Sequence, residues 1–311
     1  MEELTFMNVR GSEETVTPID KAKWQAIFKQ FNTPMGVKMP SNWQPPEGLK
    51  LEKFKVDEAE IEHISSANGE KNNKVILNIH GGGYVMPLND TLRSVSLKYL
   101  NYAPVGAEVY NVEYRIGPTD KHPAALEDCI SAYKWLIEQG YKGEDIILTG
   151  ESAGGGLILA LTLYLKDHNM PLPKGVLAIS PWADLEFTTP SRTVNFKNDL
   201  LLGEGGYEDI YAQIQKSDYA ADSDLKDPYL SPLYGDYKGF PSLLIQVGTY
   251  EVLYDDSVSV AKKAEAAGVD VKLTSYYGMS HCFQQLFPQF AESKAAWEEI
   301  GEFIKKCFNA Q

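Results

Sequence analysis

The chain has little positive charge for its length. Its 311 residues include 29 Lys and Arg against 43 Asp and Glu, which gives a formal net charge of −14 at pH 7. Nucleic-acid binding needs a basic surface that neutralises phosphates, and an anionic membrane surface attracts basic segments in the same way. The composition therefore argues against both kinds of partner.

Cysteine and long apolar runs are also scarce. The three cysteines are odd in number, and their spacing matches neither a disulfide framework nor a metal site. No apolar run approaches the roughly 18 residues that span a bilayer. The acidic N-terminal stretch has no apolar centre like that of a secretory signal. We therefore expect a cytoplasmic protein with reduced thiols and without membrane insertion.

What the chain does have is an alternation of strand and helix patterns. Six short runs are rich in apolar or β-branched residues, and several of them are apolar throughout, which favours strands that are covered on both faces, as in a parallel sheet. Amphipathic helix patterns separate them, so the fold class is α/β with crossover helices. Two earlier segments, 51–56 and 61–66, are predicted to add antiparallel strands. The six predicted strands are residues 75–80, 107–114, 145–150, 174–180, 242–248 and 271–277.

Two regions interrupt this alternation, residues 1–48 and 183–233. We interpret both as a cap over the carboxyl edge of the sheet, where α/β proteins bind their ligands. The catalytic domain would then comprise residues 49–182 and 234–311. Ordinary packing explains most of the aromatic residues in these two regions. A few aromatic residues, in these regions and in the catalytic domain, are candidates for the wall of a substrate pocket. These candidates are Phe28, Tyr84, Trp182 and Tyr211.

The sequence GESAG at 150–154 lies at a predicted strand–helix junction. It fits the G-x-S-x-G nucleophile elbow, in which a strained turn lifts the Ser152 hydroxyl above the sheet. Glycines are expected at 150 and 154 because a Cβ atom there would collide with neighbouring backbone. The helix that follows begins with unpaired N–H groups, so the Ala153 N–H is a candidate donor to an oxyanion.

A triple-glycine loop, HGGGYV at 80–85, directly follows the first apolar strand. Three glycines let the main chain approach a ligand without obstruction by side chains. The N–H groups of Gly82 and Gly83 can then stabilise negative charge that develops on a reacting oxygen. His80 is predicted to have a structural role in this loop.

A nucleophilic serine needs a general base. The five histidines are His63, His80, His122, His168 and His281. Only His281, in GMSHCF at 278–283, lies in a loop after the last predicted strand, so His281 is the predicted base. His122 begins a helix, and His63 and His168 have polar neighbours that predict solvent exposure.

The base in turn needs a carboxylate on its other ring nitrogen. Acid precedes histidine in the chain order of this elbow type, and the segment TYEVLYDDS at 249–257 offers three acids. Glu251 lies nearest the end of the preceding strand and is the preferred candidate. Asp255 and Asp256 fit the N-terminal acids of the next helix, and Asp255 remains the main alternative.

With these motifs in order, the chain resembles the hormone-sensitive-lipase family of α/β hydrolases, the bacterial carboxylesterases with an HGGG loop. The resemblance spans about residues 70 to 305 and implies an eight-stranded sheet under a cap. The motifs that carry it are HGGGY, VEYRIGPTDKHPAALED, GESAGG, ISPWADL, DPYLSPLYGDYKGFPSLLIQVGTYEVLYDD and GMSHCF.

The resemblance also informs single residues. It supports Glu251 as the acid, although Asp is more usual in the family at that position. Glu151 stands where the elbow commonly has Asp, and the resemblance implies a supporting or structural role for Glu151 and Asp184. It further implies a homodimer that pairs through an edge strand near 271–277.

These observations predict a serine carboxylesterase that hydrolyses short-chain acyl esters through an acyl-enzyme intermediate, with a small-molecule ester as substrate. Its catalytic residues would be Ser152, Glu251 and His281, and this chemistry requires neither metal nor cofactor. An amide or peptide hydrolase is one alternative. A non-catalytic ligand receptor on a hydrolase scaffold is another, and the complete set of three residues argues against it.

Overall fold

The computed structural model describes residues 7–28, 41–206 and 219–309, with the backbone alone for residues 27 and 28. In this part of the chain nine strands form a single sheet. The strands are β1 Met7–Arg10, β2 Leu49–Val56, β3 Ala59–Ser66, β4 Val75–Ile79, β5 Glu108–Glu113, β6 Ile146–Glu151, β7 Gly175–Ile179, β8 Ser242–Gly248 and β9 Val271–Tyr276.

The strand order is β1-β9-β8-β7-β6-β4-β5-β3-β2. The pairs β2–β3 and β3–β5 are antiparallel, and the other pairs are parallel. Every residue of β4, β5, β6 and β7 is buried. The prediction of a parallel sheet with both faces covered is therefore confirmed, as are the two antiparallel strands that precede it.

Helices cover both faces of the sheet. The α-helices are α1 Lys21–Phe28, α2 Asp90–Ser96, α3 Ala124–Glu138, α4 Ala153–Asp167, α5 Ser191–Val194, α6 Tyr254–Ala266, α7 Phe283–Leu286 and α8 Ala291–Asn309. Short 3-10 helices occupy Leu97–Asn101, Gly143–Asp145 and Pro232–Tyr234.

Alternation of side chains along the strands creates two apolar layers. In β4, Val75, Leu77 and Ile79 pack with α3, α4 and α6, whereas Ile76 packs on the other face with α2 and α8. Successive side chains of a strand point to opposite faces, so one apolar run supplies both layers. No helix among residues 7–28, 41–206 and 219–309 is long and apolar enough to cross a membrane.

The sheet has one strand more than the eight that the resemblance implied. Met7–Arg10 pairs in parallel with β9, in a register that joins Met7 to Leu273. Strand β9 therefore lies inside the sheet, and the expectation that 271–277 forms its edge is wrong. The edge position belongs to β1, which we had assigned with the rest of residues 1–48 to the cap.

A second correction concerns His63, which was expected to be solvated. It is buried in β3, where its Nε2 lies 3.1 Å from Glu108 Oε1 and its ring stacks on Tyr110. Polar neighbours in sequence predicted exposure, but β3 pairs with β5 and brings these partners from a distant part of the chain. His168 is exposed, as expected.

A buried ion pair fixes the helix that follows the triple-glycine loop. In α2, Arg93 donates from Nε to Glu62 Oε2 at 2.7 Å and from Nη2 to Oε1 at 2.9 Å. Glu62, on β3, is fully buried. Burial opposes its ionisation, but the bonds from Arg93 and Lys53 outweigh burial and hold the pKa of Glu62 below its ordinary value.

We expect Arg93→Met to lower the free energy of unfolding by about 3 kcal/mol, because it leaves the buried Glu62 charge with only the half-exposed Lys53. Urea denaturation measures this effect. The control is Lys50→Met, which breaks the half-exposed ion pair with Glu52 and should cost less than about 1 kcal/mol. Equal losses in the two variants would contradict the prediction.

Candidate active site

The turn between β6 and α4 holds Ser152 in a strained conformation. Its backbone angles are φ 55° and ψ −121°, a region that residues with a side chain seldom adopt. The Ser152 N–H donates to the Ile179 carbonyl, and the Ser152 carbonyl accepts the Trp182 N–H, both at 2.9 Å. A Cβ at position 154 would lie 2.0 Å from the Ile79 carbonyl oxygen, so only glycine fits. The predicted elbow geometry is present.

The triple-glycine loop lies directly against this turn. A Cβ at position 81 would come within 3.1 Å of the Ser152 Cβ. Gly82 and Gly83 both have positive φ, of 115° and 62°. Among the described residues, the N–H groups of Gly82, Gly83 and Ala153 donate to no protein acceptor. Three main-chain donors near the serine are thus available to a ligand.

His80 anchors the start of the loop, as its predicted structural role requires. Its ring stacks on Tyr114 with 4.3 Å between ring centroids, and Nδ1 lies 2.7 Å from the Gly81 carbonyl oxygen. The Tyr114 hydroxyl donates to the His80 carbonyl at 2.9 Å.

A buried acid–base pair lies at the ends of β8 and β9. His281 Nδ1 and Glu251 Oε2 are 3.0 Å apart, and the two side chains are only 2% and 0% exposed. Glu251 Oε1 also accepts hydrogen bonds from the Ser180 hydroxyl, at 2.8 Å, and from the Gly248 N–H. Sequence reasoning missed Ser180, although its position directly after β7 was a usable signal.

The two other acids of this segment have different partners. Asp256 is paired with Arg192 at 2.7 Å and accepts the N–H groups of Ala183 and Asp184. Asp255 accepts the Ser191 N–H. Both aspartates thus bind the residues that follow β7, and Glu251 is the acid that contacts His281.

The contacts of His281 stabilise positive charge on its ring. Burial lowers the pKa of His281, but Cys282 and the Glu251 carboxylate raise it and outweigh burial, so that it lies well above its ordinary value. Burial raises the pKa of Glu251, and the bond from His281 opposes this. An imidazolium formed at this position is therefore strongly stabilised.

Glu151 joins the elbow to the triple-glycine loop. Its buried carboxylate accepts the Gly81 N–H through Oε1 at 2.7 Å. Burial raises the pKa of Glu151 to about 7. Hydrogen bonds with the Gly81 N–H and the Gln285 side chain, and the charge of His281, lower this pKa by less than burial raises it. The residue that precedes Ser152 therefore bonds to the triple-glycine loop.

Of the four residues predicted to line the pocket, the structure describes the side chains of two, Tyr84 and Trp182. Tyr84 and Trp182 are 1% and 3% exposed, with ring centroids 5.4 Å apart, and Tyr84 stacks on Tyr219 at 4.1 Å. Both rings belong to the packed core, so their burial gives no support to a pocket-lining role. The Phe28 side chain and the whole of Tyr211 lie outside the described residues.

The mostly parallel sheet and the strand–turn–helix at Ser152 are those of the α/β-hydrolase fold. Residues 76–285 match a family model described as the alpha/beta hydrolase fold. An acetyl-hydrolase of Streptomyces hygroscopicus is 36% identical over 232 residues, which cover 75% of each chain. The chain belongs to this α/β-hydrolase family.

Solved structures narrow the family further. The crystal structure of EstE5 soaked with p-nitrophenyl butyrate aligns with a TM-score of 0.80 and 32% identity, covering 94% of this chain and 100% of that one. An esterase described as a member of the bacterial hormone-sensitive lipase family aligns with a TM-score of 0.76 and 33% identity, covering 96% and 93%. The chain is a member of this family of carboxylesterases.

Ionisation of the buried Glu151 lowers the free energy of unfolding, and we expect Glu151→Gln to remove this pH-dependent loss. The pKa of Glu151 rises from 4.5 in the unfolded chain to about 7 in the folded protein, so the folded state binds the proton more tightly. Stability is greatest below the lower value and declines as pH rises through this window. From about pH 4 to about pH 8, wild type should lose about 3 kcal/mol relative to the variant in urea denaturation.

Glu299→Gln is the control of opposite sign. Glu299 is also buried, but hydrogen bonds led by Lys272 outweigh burial and lower its pKa. Wild type should therefore gain stability relative to Glu299→Gln as pH rises through the acid range. A stability difference between wild type and Glu151→Gln that does not change with pH would contradict the assignment for Glu151.

Proposed function

We propose that this protein hydrolyses esters of short-chain acids, with Ser152 as nucleophile, His281 as general base and Glu251 as the acid that orients it. The observation that carries the proposal is the buried 3.0 Å contact between Glu251 and His281, at the same edge of the parallel sheet as a serine held at φ 55°. A serine hydroxyl becomes a nucleophile when an adjacent base removes its proton.

The first step forms an acyl-enzyme. Ser152 Oγ attacks the ester carbonyl carbon while His281 Nε2 accepts its proton. The negative charge on the tetrahedral oxygen is stabilised by the N–H groups of Gly82, Gly83 and Ala153. His281 then donates the proton to the alkoxy oxygen, the bond from carbonyl carbon to oxygen breaks, and the alcohol leaves.

The second step hydrolyses the acyl-enzyme. Water loses a proton to His281 and attacks the same carbonyl carbon, and Ser152 leaves after taking that proton back. Glu251 accepts a hydrogen bond from Nδ1–H throughout, so the ring keeps Nε2 free to receive a proton. Its negative charge stabilises the imidazolium in both steps, in agreement with the raised pKa of His281.

Residues 1–48 and 183–233 form the proposed cap, and residues 49–182 and 234–311 form the proposed catalytic domain. Contacts of the described cap residues support this division. The Trp24 ring meets Phe287 edge to face at 4.6 Å, and the Gln25 side chain donates to the Glu204 carbonyl at 2.9 Å. Strand β1 is the part of the N-terminal region that joins the sheet instead.

Two further expectations remain predictions. The location in the cytoplasm rests on the sequence alone. A homodimer would need a surface other than β9, because β1 covers the outer edge of that strand.

We expect Ser152→Ala to lower kcat for p-nitrophenyl acetate by about 10⁴-fold or more, because the nucleophile is absent. A fluorophosphonate probe should label wild type and not the variant. The control is Ser257→Ala in α6, where a buried hydroxyl bonds to the Leu253 carbonyl of its own helix, and this variant should keep both properties. A non-catalytic receptor would show no labelling in any of the three proteins.

The preference for short acyl chains is tested with a series of p-nitrophenyl esters. A relative is named for acetyl hydrolysis, and a structural neighbour was soaked with a butyrate ester. We expect kcat/KM to be highest from acetate to butyrate and at least about tenfold lower for decanoate, because extra methylenes need pocket space to be accommodated. A steady rise with chain length would contradict the proposal.

A further inference from the structure

Asp199 is a buried carboxylate outside the proposed catalytic residues. It bonds to the loop that carries Glu251 and to the loop that carries His281. Asp199 lies between β7 and β8 and has no exposed surface. Its Oδ2 accepts the Val252 N–H at 2.9 Å, and its Oδ1 accepts the Ser280 hydroxyl at 3.1 Å. Oδ1 also accepts the N–H groups of Leu201 and Leu202, at 3.0 and 3.1 Å.

These partners are the chain neighbours of the acid and the base. Val252 directly follows Glu251, and Ser280 directly precedes His281. One side chain thus bonds to a chain neighbour of each member of the pair, to the main chain of Val252 and to the hydroxyl of Ser280. Ser280 Oγ in turn accepts the N–H of Leu200 at 2.9 Å, so this connection is made twice.

Asn195 strengthens the attachment from the same segment. Its Nδ2 donates to the carbonyl oxygens of Thr249 and Glu251, at 2.9 and 2.8 Å. Together, Asn195 and Asp199 bond to the main chain on both sides of the Glu251 side chain. Residues 195–202, in the proposed cap, are therefore part of the support of the acid loop.

Asp199 also acts through its charge. Burial is the main cause that raises the pKa of Glu251, and the Asp199 carboxylate raises it further. A negative charge close enough to act on Glu251 also favours positive charge on the ring that Glu251 holds.

We propose that Asp199 is a positioning residue: its hydrogen bonds set the geometry of the Glu251–His281 pair, and its charge favours the imidazolium that forms during attack. The proposal rests on the function proposed above, because the pair must act on Ser152 for its geometry to affect the rate. It makes a segment of the cap part of the catalytic geometry.

Other titratable groups also act on His281. Glu251 contacts Nδ1, Cys282 adjoins it in the chain, and Glu151 faces it from the elbow. Burial raises the pKa of the Cys282 thiol, and the His281 ring lowers it. Asp199 bonds to the chain neighbours of Glu251 and His281, and its effect must be separated from theirs by variants that leave all three unchanged.

The first experiment is Asp199→Asn. An amide of the same shape removes the charge and turns an NH₂ group toward N–H or O–H donors that need an acceptor. We expect kcat for p-nitrophenyl acetate to fall by about ten- to a hundredfold with little change in KM, because the pair is displaced. The acidic limb of kcat/KM against pH should move to lower pH, because loss of a nearby negative charge lowers the pKa of His281.

Asp184→Asn is the matched control. Asp184 is equally buried and follows the same strand, and its carboxylate accepts the N–H groups of Glu186 and Thr188. Among the described residues its side chain has no hydrogen bond to residues 249–252 or 278–282. It should lose stability in urea denaturation. Its acidic limb should stay at the wild-type position, and its kcat should change by less than about threefold.

Ser280→Ala gives a second, milder variant that keeps the proposal testable if Asp199→Asn does not fold. It removes the hydrogen bond to Asp199 and the bond from the Leu200 N–H, and it leaves the charge of Asp199 in place. We expect kcat to fall several-fold while the acidic limb stays near its wild-type position. Combined with Asp199→Asn, it should add less than its separate effect, because the two changes remove the same bond.

The outcomes distinguish this inference from the proposed function. If Ser152→Ala is inactive but Asp199→Asn matches Asp184→Asn in kcat and in the position of its acidic limb, the positioning role is wrong and the esterase mechanism stands. With an unfolded Asp199→Asn, a wild-type kcat in Ser280→Ala would likewise overturn it. If Ser152→Ala keeps the wild-type rate, the proposed function fails, and the positioning role fails with it.

Discussion

The structure of the site depends on the carboxyl group of Glu251, which has no exposed surface. A buried charge is stable only where donors replace the water that it has lost. Its donors are Ser180 after β7, Gly248 at the end of β8 and His281 after β9. Because these three strands are parallel neighbours, their carboxyl ends meet at one edge of the sheet. The strand order therefore delivers the groups that keep the acid charged.

The residues that the sequence predicts well are those whose constraints are local. The elbow at Ser152 needs glycine at 154 because a Cβ there would lie 2.0 Å from the Ile79 carbonyl oxygen, and no other residue avoids that contact. The choice between Glu251 and Asp255 stayed open because both are acids on one short segment. The folded structure distinguishes the two acids by their partners. Asp255 bonds to Ser191, whereas Glu251 bonds to His281.

The features that sequence reasoning missed depend on partners far along the chain. Strand β1 has four residues, only two of them apolar, and it is a strand because β9 offers a free edge more than 260 residues later. The buried position of His63 depends on Glu108, and the contacts of Asp199 depend on Val252 and Ser280. No window of sequence contains both members of such a pair, so their geometry had to come from the fold.

Buried carboxyl groups fix the loops of the site before substrate binds, and their burial lowers the stability of the fold. Glu151 bonds to the triple-glycine loop, Asp199 to the loops that carry Glu251 and His281, and Glu251 to His281 itself. Each hydrogen bond fixes a loop before substrate arrives, so no free energy is spent on ordering it during the reaction. Burial opposes the ionisation of Glu151 and Glu251, which lowers folding stability at neutral pH. The site thus exchanges stability of the fold for fixed positions of the groups around Ser152.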